Sequence, residues 1–192
     1  MTELDARVLV ALYGEHPSGP WVMVMAALSL VGGGWAATAL VPMIALGRTR
    51  RLALHLAAVV VSQATLVVVL KRLVGRPRPC ASIVGVHALV FHTPTDPSFP
   101  SGHAAGAFSV ATFLALVTLA RGRDATTALS LARARAIAAA LFATAAAIAL
   151  SRVVLGMHFP IDVSAGAALG TAIGALGARV YARRTAPGVP SA

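Results

Sequence analysis

Three short stretches of the chain hold the residues whose types and spacing could do chemistry on an anion. In Lys71-Arg-Leu-Val-Gly-Arg-Pro-Arg78-Pro79 a helix end runs into a proline-punctuated loop and sets several cations close together. Alone, this stretch reads equally well as basic side chains snorkelling from a helix terminus. In Ser98-Phe-Pro100-Ser101-Gly102-His103, directly before an apolar run, Ser101 or a neighbour can cap a helix. The free N–H groups and positive end of that helix favour an anion such as phosphate. Alone, it is a helix start with an interfacial histidine. In Ser151-Arg152-Val-Val-Leu-Gly-Met-His158-Phe-Pro-Ile-Asp162 an Arg, a His and an Asp stand where one apolar run ends and the next begins. Asp162, four residues after His158, could reach its imidazole. Ionisable groups at such a boundary are costly unless they pair or work.

The elements that must position these residues are membrane spans. The 192 residues are 58% hydrophobic and 11% charged, with a mean hydropathy of +0.82, far more apolar than a soluble domain. A bilayer core about 30 Å thick needs roughly 20 apolar helical residues. Segments 21–46, 52–72, 102–120, 134–153 and 161–182 meet or approach that length. Gly32, Gly33 and Gly34 kink or split the first, so five to six spans are expected in an all-α polytopic bundle. No linker or repeat divides residues 1–192, which read as one domain with a core over about 50–180 and an N-terminal interfacial segment over 1–20. Within that segment, residues 4–14 form a short amphipathic helix. The start of the chain lacks the basic and long apolar regions of a cleavable leader, so the spans themselves are expected to direct insertion. Gly166, Gly170, Gly174 and Gly177 suit close helix approach in lipid.

The formal charge of +10 is distributed as topology signals between apolar runs, which disfavours nucleic acid as a partner. Arg48, Arg50 and Arg51, then Arg121, Arg123, Arg133 and Arg135, then Arg183 and Arg184 fall on one side, cytoplasmic by the positive-inside rule. Lys71, Arg72, Arg76, Arg78 and Arg152 fall on the other side, against that bias. An anionic ligand accounts for them. The single Cys80 excludes an intramolecular disulfide and a cysteine metal cluster.

Lys71 with six residues to Arg78-Pro79, Pro100-Ser101-Gly102-His103, and Ser151-Arg152 with five residues to His158 and three more to Asp162 together resemble the three-part signature of the type 2 phosphatidic acid phosphatase (PAP2) superfamily, which also includes vanadium haloperoxidases and bacterial acid phosphatases. The pattern is met at each of these positions, and the resemblance covers about 50–180; the residues before about 50 add nothing to it. It implies a haloperoxidase-type helical core and a membrane phosphatase that uses neither metal nor other cofactor. His158 would attack phosphorus to give a phosphohistidine, with Asp162 accepting its other N–H. His103 would protonate the leaving oxygen and then activate water. Lys71, Arg78, Arg152, the Ser101 hydroxyl and the Gly102 N–H would surround the phosphate oxygens. In keeping with a metal-free site, the acids in these loops, Asp96 and Asp162, are too few for an oxygen-ligand cage.

The implied substrates are undecaprenyl diphosphate, favoured here, phosphatidylglycerol phosphate or phosphatidic acid. The implied setting is the inner (plasma) membrane, with the site facing outward and membrane lipids as the surroundings. A lipid phosphotransferase using the same site, a vanadate-dependent haloperoxidase and a non-catalytic transporter or scaffold are the rivals. Other polar residues take plainer readings. His87 and His92 are loop histidines, Trp21 and Trp35 are interfacial or packing aromatics, Arg72 and Arg76 add positive field, and Asp96 is a turn residue beside Pro94 and Pro97.

Overall fold

Long runs of Ala, Val and Leu free of internal proline fold as helices that extend past the apolar stretch to take in the arginines at one end. The chain was analysed as a computed structural model that describes residues 3–14, 19–34, 38, 40–89, 93–123 and 130–185. His92 and Trp35 lie outside the described residues. Eight helices and no strand occur among these residues: α1 Glu3–Tyr13, α2 Pro20–Val31, α3 Leu40–Ala45, α4 Gly47–Val74, α5 Pro79–Ser82, α6 Gly102–Arg123, α7 Leu131–Val154 and α8 Pro160–Thr185. Four regions, Gly47–Ser82, Gly102–Arg123, Leu131–Val154 and Pro160–Arg184, are long and apolar enough to cross a bilayer. The expected span over 21–46 is instead divided between α2 and α3. The 12 residues of α2 cover about 18 Å, too short to cross alone.

The bundle has two chemically different ends. α4 and α7 begin at the end carrying Arg48, Arg50, Arg51, Arg133 and Arg135, where α6 and α8 finish with Arg121, Arg123, Arg183 and Arg184. The Arg121 guanidinium donates to Tyr181 Oη at 3.0 Å and ties α6 to α8 there. A core of Leu56, Val59, Phe113, Ala178 and Tyr181 fills the adjacent interior. All three chemical stretches lie at the other end.

α6 and α8 meet backbone to backbone. A Cβ placed at Gly166 would stand 2.5 Å from the Ser101 carbonyl oxygen, and one at Gly170 or Gly174 would come closer still to the carbonyls of Ala105 and Ser109. The four-residue spacing on both helices makes one continuous seam, the small-residue packing expected in lipid. α1 departs from the expectation of a purely interfacial helix. Leu4, Val8, Val10 and Leu12 are exposed, but Asp5, Leu9 and Tyr13, four residues apart, form a buried stripe against α7 and α8. Tyr13 Oη donates to the His87 carbonyl at 3.2 Å and accepts from the His87 N–H at 3.1 Å. The bland assignment of His87 to a loop therefore holds, with its backbone anchoring α1.

Candidate active site

Each chemical stretch sits where a helix starts or stops. α4 ends at Gly75, whose left-handed conformation (φ 61°) and N–H to the Lys71 carbonyl at 3.0 Å close the last turn and direct the chain toward Arg76 and Arg78. Gly156 (φ 69°) makes the turn after α7. There a Cβ would lie 2.6 Å from the His87 carbonyl, so only glycine lets His158 return under the loop. The N–H groups of Met157 and His158 both reach the Arg152 carbonyl, at 3.0 and 3.1 Å, and hold this turn over the end of α7. The Ser101 N–H donates to the Asp162 carbonyl at 2.9 Å and joins the starts of α6 and α8.

His158 is buried at the centre. Arg78 Nη1 stands 3.2 Å from its Nε2 and also donates to the Met157 carbonyl at 2.9 Å. Because guanidinium can only donate, Nε2 is the unprotonated nitrogen and Nδ1 carries the hydrogen. Burial, reinforced by the Arg78, Arg152 and Lys71 cations and opposed by Asp162, pushes the His158 pKa down to about 4. The ring is thus neutral near pH 7, as a nitrogen nucleophile must be.

Asp162 is fully buried, but the expected direct hydrogen bond to His158 is not formed: Nδ1 and Oδ2 are 3.8 Å apart. Four-residue spacing brings side chains together within a helix. His158 precedes α8, whereas Asp162 lies in its first turn and spends Oδ2 on the Phe159 N–H at 2.9 Å, as a helix-capping carboxylate does. Ser98 fills the gap. Its hydroxyl donates to Asp162 Oδ2 at 2.5 Å and lies 3.3 Å from His158 Nδ1, so the imidazole N–H reaches the carboxylate through Ser98.

The cations are arranged around an acid that the sequence presented as a turn residue. Lys71 Nζ reaches Asp96 Oδ2 at 2.6 Å and the Pro97 carbonyl; Arg78 reaches Asp96 Oδ1 and the Asp96 carbonyl, both at 2.9 Å. Although burial alone would raise it, the Lys71 hydrogen bond and the Arg78 charge hold the Asp96 carboxyl below its usual pKa. Arg152 donates through Nη1 to Ser29 Oγ of α2, while its buried Nε has no hydrogen-bond partner. The buried Ser101 hydroxyl likewise has none. It does not cap its own helix. An unpaired donor on each of these residues, at the end of the bundle that also carries Lys71, Arg78 and His158, suits a tetrahedral oxyanion, because buried polar groups otherwise pair within the protein.

His103, in the first turn of α6, opens onto an apolar cavity of about 680 Å³ that runs between α4, α6 and α7. Val67, Gly106, Leu141 and Ile148 line it, together with the side chain of Gln63, whose buried Oε1 has no hydrogen-bond partner. On α4 it extends from Val68 to Leu56, roughly 18 Å along the helix. A mainly apolar wall beginning at His103 can hold the hydrocarbon part of a ligand whose phosphate meets the cations.

Ser98, Asp96, Arg76, which pairs with Asp162 at 2.5 Å, and Asp5, which pairs with Arg76 at 2.5 Å, all take part in this network, although none was given a defined role in it from the sequence. For Asp5 the signal was available: a lone acid in register with Leu9 and Tyr13 on one helical face must find a partner.

The PAP2 superfamily model matches residues 52–186. Over 177 residues, covering 90% of this chain and 88% of the relative, the sequence is 36% identical to the decaprenylphosphoryl-5-phosphoribose phosphatase of Mycobacterium tuberculosis. The protein of the same description in Mycolicibacterium smegmatis is 34% identical over 166 residues, 84% of this chain and 81% of the relative. Among solved structures, the transmembrane PAP2-type phosphatidylglycerolphosphate phosphatase of Bacillus subtilis aligns with a TM-score of 0.75 over 97% of this chain and 88% of its own, at 22% identity. Aquifex aeolicus LpxE aligns with a TM-score of 0.70 over 93% and 96%, at 26% identity.

Proposed function

This chain belongs to the PAP2 superfamily and is a membrane phosphatase of lipid phosphates, and we propose that it removes the terminal phosphate of a polyprenyl-linked phosphosugar at the His158 site. His158 Nε2 attacks phosphorus as the bond to the leaving oxygen breaks, and His103 gives that oxygen its proton. Water then attacks the phosphohistidine, His103 takes the proton, and the P–N bond breaks to release inorganic phosphate and neutral His158. Lys71, Arg78, Arg152, Ser101 and the Gly102 N–H hold the oxygens on which charge is concentrated. Ser98 and Asp162 keep the proton on Nδ1 and the lone pair on Nε2.

The cavity below His103 carries the choice of substrate. With a diphosphate, the leaving group would bring a second phosphate into a wall lined by Val67, Leu141 and Ile148 and by no Lys or Arg among the described lining residues. A phosphosugar carries a prenyl phosphate too, but its sugar separates the two phosphates, so that hydroxyls rather than a second phosphate follow the reacting one into the cavity that Gln63 lines. The substrate named by the mycobacterial relatives has this form, a phosphosugar carried on a prenyl phosphate. Undecaprenyl diphosphate, first favoured from the family resemblance and the topology, becomes the second choice. The arginine clusters at the opposite end of the bundle support an inner-membrane location with the site facing outward.

The test is phosphate release by the purified protein in EDTA from decaprenylphosphoryl-5-phosphoribose, undecaprenyl diphosphate, phosphatidylglycerol phosphate and phosphatidic acid. The phosphosugar is expected to give the highest kcat/KM, by about tenfold or more. A higher value for the diphosphate overturns the substrate assignment, and loss of release in EDTA overturns the metal-free mechanism. The low pKa of His158 adds a pH expectation. Because the folded ring stays neutral down to about pH 4, loss of kcat/KM through protonation of His158 should fall near pH 4 and not at the ordinary histidine value of about 6.5. A profile that halves near pH 6.5 through His158 contradicts the burial of that ring.

A further inference from the structure

We infer that Asp5, upstream of the segment matched by the superfamily model, is a positioning residue for the nucleophile and acts through Arg76. This rests on His158 being the nucleophile. Asp5 is 6% exposed although it lies on the first helix of the chain. Its Oδ2 pairs with Arg76 Nη2 at 2.5 Å and its Oδ1 accepts the Ile161 N–H at 3.0 Å. The other arm of the same guanidinium, Nη1, pairs with Asp162 Oδ1 at 2.5 Å, and its Cζ lies 4.2 Å from the centre of the Phe159 ring. Asp162 Oδ2 then holds Ser98, and Ser98 faces His158. Asp5, Arg76, Asp162, Ser98 and His158 thus form an unbroken line from α1 to the reacting ring.

The division of the fork is the central feature. A guanidinium beside a single carboxylate prefers to take both oxygens in parallel. If Arg76 did so here, it would draw Asp162 Oδ2 from Ser98 and leave His158 Nδ1 without its relay. Asp5 occupies one arm and confines Arg76 to Oδ1. The charges point the same way. Arg76 keeps the Asp162 carboxylate charged and aimed, beside an imidazole that becomes more positive when Nε2 bonds to phosphorus. A charge buried this deeply needs its pairing, and α1 brings it to Arg76, which also holds Asp162.

The experiment compares wild type, Asp5→Asn, Arg76→Lys, the double variant and Tyr13→Phe as full-length, detergent-purified proteins, by kcat, KM and the single-turnover rate of phosphohistidine formation. Asp5→Asn is expected to lower kcat and the phosphorylation rate roughly 10- to 100-fold, with KM changed less than about threefold. Arg76→Lys, whose point charge cannot fork, should fall similarly, and the double variant no further than the lower single. Tyr13→Phe removes the other polar anchor of α1 and should keep wild-type kcat. Wild-type kcat in Asp5→Asn, or in Arg76→Lys if Asp5→Asn cannot be recovered folded, overturns the inference. So does a loss in Tyr13→Phe equal to that in the Asp5 or Arg76 variant, which would assign α1 a purely structural anchoring role. Absence of phosphate release by wild type would instead overturn the underlying phosphatase reading.

Discussion

Replacing His158 with alanine is expected to end phosphate release, lowering kcat by roughly ten-thousand-fold while the protein still inserts and purifies as wild type does. The size of the effect follows from the absence of a substitute. His158 Nε2 is the nitrogen placed against Arg78, and the other site histidine, His103, stands at the mouth of the cavity on a different helix. Removing the imidazole also leaves Ser98 with Asp162 but with nothing to orient, so the relay persists without its object. Folding should be largely retained, because the ring's contacts are polar and the turn is held by the backbone bonds to Arg152. The check is phosphate release together with acid-quenched trapping of phosphoprotein from labelled substrate. Turnover above about a tenth of wild type, or label on another residue, would remove His158 from the nucleophile's role.

Gly170→Val is expected to have the largest effect on the fold. At Gly170 even one added carbon would penetrate the Ala105 backbone, and that backbone belongs to a 22-residue helix that cannot yield at one point. Overpacking in a close-packed core costs about 1–3 kcal/mol and more where backbone must shift. At this seam the strain also separates Ser101 from Asp162, so structure and activity should fail together. Thermal unfolding in detergent should show a lower midpoint or no cooperative transition. Gly47→Ala, where an added Cβ meets nothing within 4 Å, should unfold within about 0.5 kcal/mol of wild type. A folded, active Gly170→Val protein would mean that α6 and α8 are not in contact there.

The contrast between these two positions indicates what can be read from a sequence of this kind. Lys71, Arg78, Ser101, Gly102, His103, Arg152, His158 and Asp162 were legible because each sits at a helix end marked by Pro or Gly, and hydropathy fixes which ends share a side. The structure places Arg78 against His158, Lys71 and Arg78 together on Asp96, and His103 at the adjoining cavity. The glycine seam was legible from its four-residue spacing. The connection between Asp162 and His158 was not. Spacing counts residues along a helix, whereas the two lie on either side of a helix boundary, and the bridging Ser98 arrives from a loop 60 residues away. For Asp5 the need of a partner was legible but the partner was not, for a related reason: Arg76 is 71 residues distant. The division of 21–46 at Gly32 to Gly34 was legible as well; hydropathy did not reveal that neither piece is long enough to cross alone, which leaves four long apolar helices among the described residues where five to six spans were expected.

Asp96 gives turnover a further property. Its side chain is 54% exposed, yet its two oxygens occupy Lys71 and Arg78, the cations proposed to take the lipid's phosphate. A substrate therefore enters by exchange, displacing one anion with another. The same exchange runs in reverse after hydrolysis. Inorganic phosphate, no longer tethered to a tail in the cavity, competes for the two cations with a carboxylate that is covalently part of the loop and never diffuses away. Strong cations stabilise a transition state but also threaten to retain the product. A resident competitor would keep the first effect while limiting the second, and the expected result is modest product inhibition by inorganic phosphate.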